Sequence, residues 1–140
     1  HHLVSSLEEL RDVALPWPLI VKPCREDASA GIDFDSVVRT PQALGVAVSR
    51  VLRTFHQPAL VEQYIEGREL AVPVLGNSPR RALPLTEIHF GDAFLGKPNI
   101  VSYSAKWEPT SRECLESPSL VATLDPQLEK RCVDAALAAA

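Results

Sequence analysis

Apolar residues along this chain follow two rhythms, and the switches between them mark out the elements. Leu19-Ile20-Val21 is a short, wholly apolar run of the kind carried by a strand covered on both faces. Ile32 through Val38 begins by alternating apolar and polar residues, which predicts a half-buried strand. Leu44, Val48, Val51, Leu52 and Phe55 then recur at helical spacing behind Thr40-Pro41, an N-cap followed by a first-turn proline, so a helix is expected to Phe55. Pro58 restarts a strand that runs to Ile65. Upstream, Ser6-Leu7-Glu8-Glu9 has the form of a capping box and predicts a short helix over about residues 6–13, ended by Pro16 and Pro18.

After Gly67 the pattern becomes that of a hairpin: Glu69 to Leu75, a turn at Gly76-Asn77-Ser78-Pro79, and a return from Ala82 to Ile88. Pro73 and Pro84 place these strands at edges or bulges. Residues 91–118, broken by Gly91, Gly96, Pro98, Pro109 and Pro118, predict mostly loop with a short strand from Ile100 to Ser104. Asp125-Pro126 opens a final helix with Leu128, Cys132, Ala135 and Ala136 on one face. It runs to Ala138-Ala139-Ala140 without a breaker, so the chain is expected to be a fragment of a longer one. The order of elements is an α+β pattern with mixed or antiparallel sheets.

The 140 residues suffice for one globular unit, and 46% hydrophobic with 23% charged residues is ordinary composition. No apolar run approaches the roughly 20 residues of a membrane span. A net charge of -4 argues against a nucleic-acid surface, since the one basic cluster, Arg80-Arg81, sits beside a predicted turn. Cys24, Cys114 and Cys132 are odd in number and far apart, which fits neither a disulfide framework nor a zinc site and points to a reducing, cytoplasmic setting. His56 and His89 lack metal-ligand spacing, and His1-His2 has the look of a tag remnant.

Four segments carry candidate chemistry. Lys22 is launched from the end of an apolar strand, where its ammonium calls for an anionic partner, and a phosphate would serve. Small residues in Ala28-Ser29-Ala30-Gly31 would let backbone amides and the Ser29 hydroxyl approach a polyphosphate closely. Glu62 and Glu69 flank the next element, and their carboxylates suit an adenine amino group or ribose hydroxyls, with Tyr64 or Ile65 covering the ring. Lys106, in Tyr103-Ser104-Ala105-Lys106-Trp107, adds a second cation. Taken singly, each also reads as an ordinary strand-end lysine, small-residue turn, solvated acid or loop lysine.

In order from about Leu15 to Trp107, these segments resemble the ATP-grasp superfamily, and within it the D-alanine–D-alanine ligase group and related carboxylate–amine ligases. The resemblance implies a two-subdomain α+β fold whose mixed or antiparallel sheets sandwich ATP. Residues 1–14 would be a linker and short helix, 15–66 the small lid subdomain, and 67–140 the beginning of the C-terminal subdomain. It assigns Lys22 and Lys106 to the ATP phosphates, the loop Glu26 to Gly31, with Ser29 and Gly31, to closing over them, Glu62, Tyr64 and Ile65 to adenine, and Glu69 to ribose. It implies Mg²⁺ held by ligands beyond residue 140 and no catalytic residue within the chain. It also implies small-molecule carboxylate and amine substrates joined through an acyl phosphate, and it is compatible with a homo-oligomer. Where that group commonly reads Gly-Ser-Ser-Val-Gly, this chain has Asp27-Ala28-Ser29-Ala30-Gly31, and Trp107 stands where those ligases often carry tyrosine. These departures point away from D-alanine as the substrate. They also motivate an alternative, a non-catalytic nucleotide-binding or regulatory module; a third reading, an α+β interaction domain without nucleotide, requires the ordered matches to be coincidence.

Overall fold

The computed structural model describes residues 1–140 and divides into two compact units. The first comprises residues 1–66 and 91–116, the second residues 67–90 and 117–140.

The first unit is built on an antiparallel sheet. Its strands are β1 (His2–Val4), β2 (Leu19–Pro23), β3 (Val37–Val38) and β4 (Ala59–Gln63), in the order β1-β4-β2-β3. Helix α1 (Pro41–Phe55) packs on β2 and presents Leu44, Ala47, Val48 and Val51. These meet Val4, Leu19, Val21, Val38, Ala59 and Val61 in one core. The expected signals set the start of the helix, where Thr40 Oγ1 accepts from the Ala43 amide at 3.2 Å and Pro41 opens the first turn; its end is set by His56, a cap that the sequence reading did not name, with φ +52°. Two short helices complete the unit, α2 (Tyr103–Trp107) and α3 (Arg112–Leu115).

Four expectations for this unit need correction. Residues 7–12 form a 3-10 helix in which Ser6 makes no side-chain cap; the Glu9 carboxylate instead accepts from the Ser5 amide at 2.8 Å. The strand expected from Ile32 is confined to Val37–Val38, because Asp33 and Ser36 close a capping box around a 3-10 turn at Phe34–Ser36. The strand expected from Ile100 is instead the approach to α2, whose N-cap Ser102 accepts from the Ala105 amide. Helical turns also occupy part of 91–118, at Asp92–Phe94, α2 and α3, where loop was expected.

In the second unit the expected hairpin is split by its prolines. Strands β5 (Glu69–Ala71) and β8 (Thr86–Ile88) pair, as do β6 (Val74–Leu75) and β7 (Arg81–Ala82), and Leu83 N donates to Pro73 O between them. Strand β9 (Ser119–Val121) adds to β8, and helix α4 (Pro126–Ala139) packs on β7. Asp125 caps α4 by accepting from the Gln127 and Leu128 amides, each at 3.0 Å.

Candidate functional site

The pairing of β2 with β4 places Ile20 opposite Glu62 and Lys22 opposite Leu60, so Lys22 and Glu62 are diagonal neighbours on one face of the sheet. Their side chains meet, Lys22 Nζ to Glu62 Oε2 at 2.6 Å, with 32% and 34% of each side chain exposed. Leu19, Ile20 and Val21 before the lysine are buried, which fixes its launch point. An ammonium has three donors, so one held by Glu62 can still meet a second anion from the solvent side.

The loop leaving β2 has an unusual backbone. Ala28 and Ser29 take φ of +51° and +65°, a conformation that costs a residue with a Cβ, and Gly31 takes +74°. A Cβ at Gly31 would lie 2.7 Å from both Phe55 Cζ and Pro23 Cγ, so glycine is required there by space as well as by φ. The Ala30 and Ile32 amides are used inside the loop, on Asp27 O and Ser29 O. Residues 101–107 hold its apex: Ser29 Oγ donates to Val101 O at 2.7 Å, Trp107 Nε1 to Ala28 O at 2.8 Å, and Tyr103 N to Ile32 O at 2.9 Å. Loop and α2 are therefore one hydrogen-bonded assembly.

The remaining candidates occupy different settings. Past β4, Tyr64 N donates to Pro18 O and its hydroxyl to Asn99 O at 2.8 Å, which ties the segment to the stretch around Asn99. Ile65 is 73% exposed, an apolar side chain facing solvent next to that tyrosine. Lys106 is exposed on α2, one residue before Trp107. Glu69 belongs to the second unit, where it opens β5 opposite Ile88. Lys22, Ser29, Gly31, Glu62, Tyr64, Ile65 and Lys106 all belong to the first unit.

Two surface hollows, of about 410 and 510 Å³, are lined by none of these residues. No three His, Cys, Asp or Glu side chains gather into a group that would hold a metal ion. Sequence reasoning missed Gln57, which is buried beneath the loop's entry and bonded to it. Nothing local marks it, because its partners lie 31 and 32 residues away.

The model of the D-ala D-ala ligase C-terminus family matches residues 4–139. Among curated proteins, the D-alanine–D-alanine ligase of Desulfotalea psychrophila is 36% identical over 117 residues, 84% of this chain and 33% of that protein. The D-alanine–D-alanine ligase of Carboxydothermus hydrogenoformans is 34% identical over 120 residues, 86% of this chain and 34% of that protein. A Sinorhizobium fredii protein, y4sG, is 41% identical over 88 residues, 63% of this chain and 24% of that protein. The chain thus spans between a quarter and about a third of the length of these relatives.

Proposed function

Because the chain belongs to the D-alanine–D-alanine ligase C-terminal family, we propose that it supplies the nucleotide-binding part of an ATP-dependent carboxylate–amine ligase. In that reaction the γ-phosphoryl group of ATP passes to a substrate carboxylate, the bond to ADP breaking as the acyl-phosphate bond forms. An amine then attacks the acyl carbon, the carbon–oxygen bond to phosphate breaks, and an amide results. The substrates are a small carboxylate and a small amine, either a pair like the D-alanines named for the relatives or, as Ala28 and Trp107 in place of the group's serine and tyrosine favour, a different pair.

The observation that carries this reading is the Lys22–Glu62 pair set beside a loop held in left-handed backbone conformation. The Lys22 ammonium offsets charge on the phosphates while keeping its bond to Glu62, and the second carboxylate oxygen accepts from the adenine amino group. Tyr64 and Ile65 flank the ring, and the exposed apolar surface of Ile65 is the kind an adenine face covers. Glu69 accepts from ribose hydroxyls, Lys106 adds a cation at the phosphates, and the loop around Ser29 and Gly31 excludes water from the transferring group. A phosphoryl-transfer enzyme of this kind uses Mg²⁺ to neutralise phosphate charge. The side chains here do not gather into a site for it.

The test is calorimetric titration of Mg-ATP into the full chain, beside Lys22→Ala and Glu62→Ala. Each substitution is expected to weaken binding about tenfold or more, the loss of a charge-assisted contact. Affinity unchanged in both would overturn the nucleotide assignment. The loop substitutions motivate a second reading, with Ala28 where the resemblance calls for serine. On that reading the chain is a nucleotide-binding module without catalysis, and it would bind ATP yet release no phosphate with any carboxylate and amine.

A further inference from the structure

All three buried polar side chains of this protein, Ser36, Gln57 and Ser102, serve the loop between β2 and β3 or the helix bonded to its apex. Ser102 caps α2. Ser36 sits at the loop's exit, where its hydroxyl accepts from the Asp33 amide at 3.0 Å and from Arg50 of α1 at 3.1 Å. Gln57 sits at the entry, 9% exposed, directly after His56 turns the chain out of α1. Its carboxamide makes two bonds of opposite sense: Oε1 accepts from the Arg25 amide at 2.5 Å, and Nε2 donates to Glu26 Oε1 at 2.7 Å. Beside it, Cys24 N donates to Pro58 O at 3.2 Å.

We propose that Gln57 is a positioning residue for the nucleotide site. It fixes the direction in which the backbone leaves β2 at Arg25 and holds the Glu26 carboxylate, and so sets where the small-residue loop stands over the phosphates. The inference rests on the nucleotide reading above. It follows from the chemistry of the amide: one buried carboxamide satisfies a backbone donor and a carboxylate at once, and an apolar replacement removes both bonds and frees Arg25 and Glu26, which are themselves exposed, from the body of the unit. The loop apex, by contrast, is held from α2, so the entry and the apex are set by different elements. Gln57 touches no reacting atom.

The test compares Gln57→Leu, Gln57→Glu, and Gln57→Glu combined with Glu26→Gln in the full chain. Gln57→Leu loses both bonds. Gln57→Glu sets a second carboxylate against Glu26, and the double variant restores a donor facing an acceptor with the same atoms in the same shape. Two readouts are taken: hydrogen exchange of the residue 25–31 amides without nucleotide, and the Mg-ATP dissociation constant. Gln57→Leu and Gln57→Glu are expected to speed exchange at Arg25 and to weaken Mg-ATP about tenfold each, with the double variant returning to within about twofold of the parent. Rescue by this isosteric exchange is a result that general loss of packing would not give. Unchanged exchange, unchanged affinity despite faster exchange, or a double variant as weak as Gln57→Glu would each overturn the proposal. The Lys22→Ala titration reads the nucleotide assignment separately: if Lys22→Ala and Glu62→Ala bind as the parent does, that assignment fails whatever the exchange at residue 25 shows.

Discussion

The two units are held together by different forces. In the first, Val21, Val48, Val51, Ala59 and Val61 are completely buried between α1 and the sheet, and apolar burial of this kind is worth about 25 cal/mol per Å². In the second, Leu85 is the one buried apolar side chain, and α4 buries none of its 14 residues. That unit rests on short backbone ladders, the Asp125 cap and exposed ion pairs such as Arg68 with Glu87 and Lys130 with Asp134. Exposed pairs contribute little each and are screened by salt. Hence the unit that carries Lys22, Glu62 and the loop rests on a buried apolar core, while the unit that carries Glu69 leans more on polar contacts that salt and pH can weaken.

Equivalent truncations should break this contrast most sharply. Leu44→Ala, in the core of the first unit, is expected to cost about 2–5 kcal/mol. Leu137→Ala, on the half-buried face of α4, should cost less than about 1 kcal/mol. Urea unfolding of the two variants, followed by hydrogen exchange in each unit, measures the difference. Equal losses would mean that the second unit packs as tightly as the first.

A smaller effect is expected from Gly31→Ala, which forces a Cβ into the Phe55 ring and Pro23 at φ +74°. About 1–3 kcal/mol of strain should result, seen as a lower Tm together with weaker Mg-ATP binding. An alanine tolerated on both measures would show that the loop can move without loss of function.

The smallest expected effect separates the units by pH. The hydrogen bond from Arg68 holds the Glu87 carboxyl below its ordinary range, assisted by the guanidinium charge. Its folded pKa is depressed, so its contribution is full above the ordinary carboxylate range and is lost as pH falls through the folded value. Amides of β5 and β8 should therefore lose protection on acidification before those of β2 and β4. Arg68→Leu should remove that acid dependence from the second unit; if the dependence persists, another group is responsible.

Legibility in the sequence tracked locality. Helices α1 and α4 could be read from Thr40-Pro41 and Asp125-Pro126 because capping is settled within four residues. Strand β1 went unseen, since His2–Val4 is a strand only through its pairing with Ala59–Val61. The alternation at Ile32 misled because Asp33 and Ser36 satisfy each other locally and end the extended run before it can pair. The candidate residues could be named one by one, but the 2.6 Å meeting of Lys22 with Glu62 depends on a strand register no local pattern states. Gln57 was invisible for the same reason, its significance lying wholly in partners more than 30 residues away.

The bonds that hold the loop apex also set an order of events during synthesis. Ser29 and Ala28 are secured by Val101 and Trp107, separated from them by 72 and 79 residues. The strands of the first sheet are all present once Gln63 has been made. At roughly 5–20 residues per second, translation supplies Trp107 only seconds later. For that interval a nascent chain can form its sheet and α1 while the loop stands open, with Ala28 and Ser29 free to relax from their left-handed conformation. The site is thus completed from behind, by a stretch of polypeptide that emerges after its support has set.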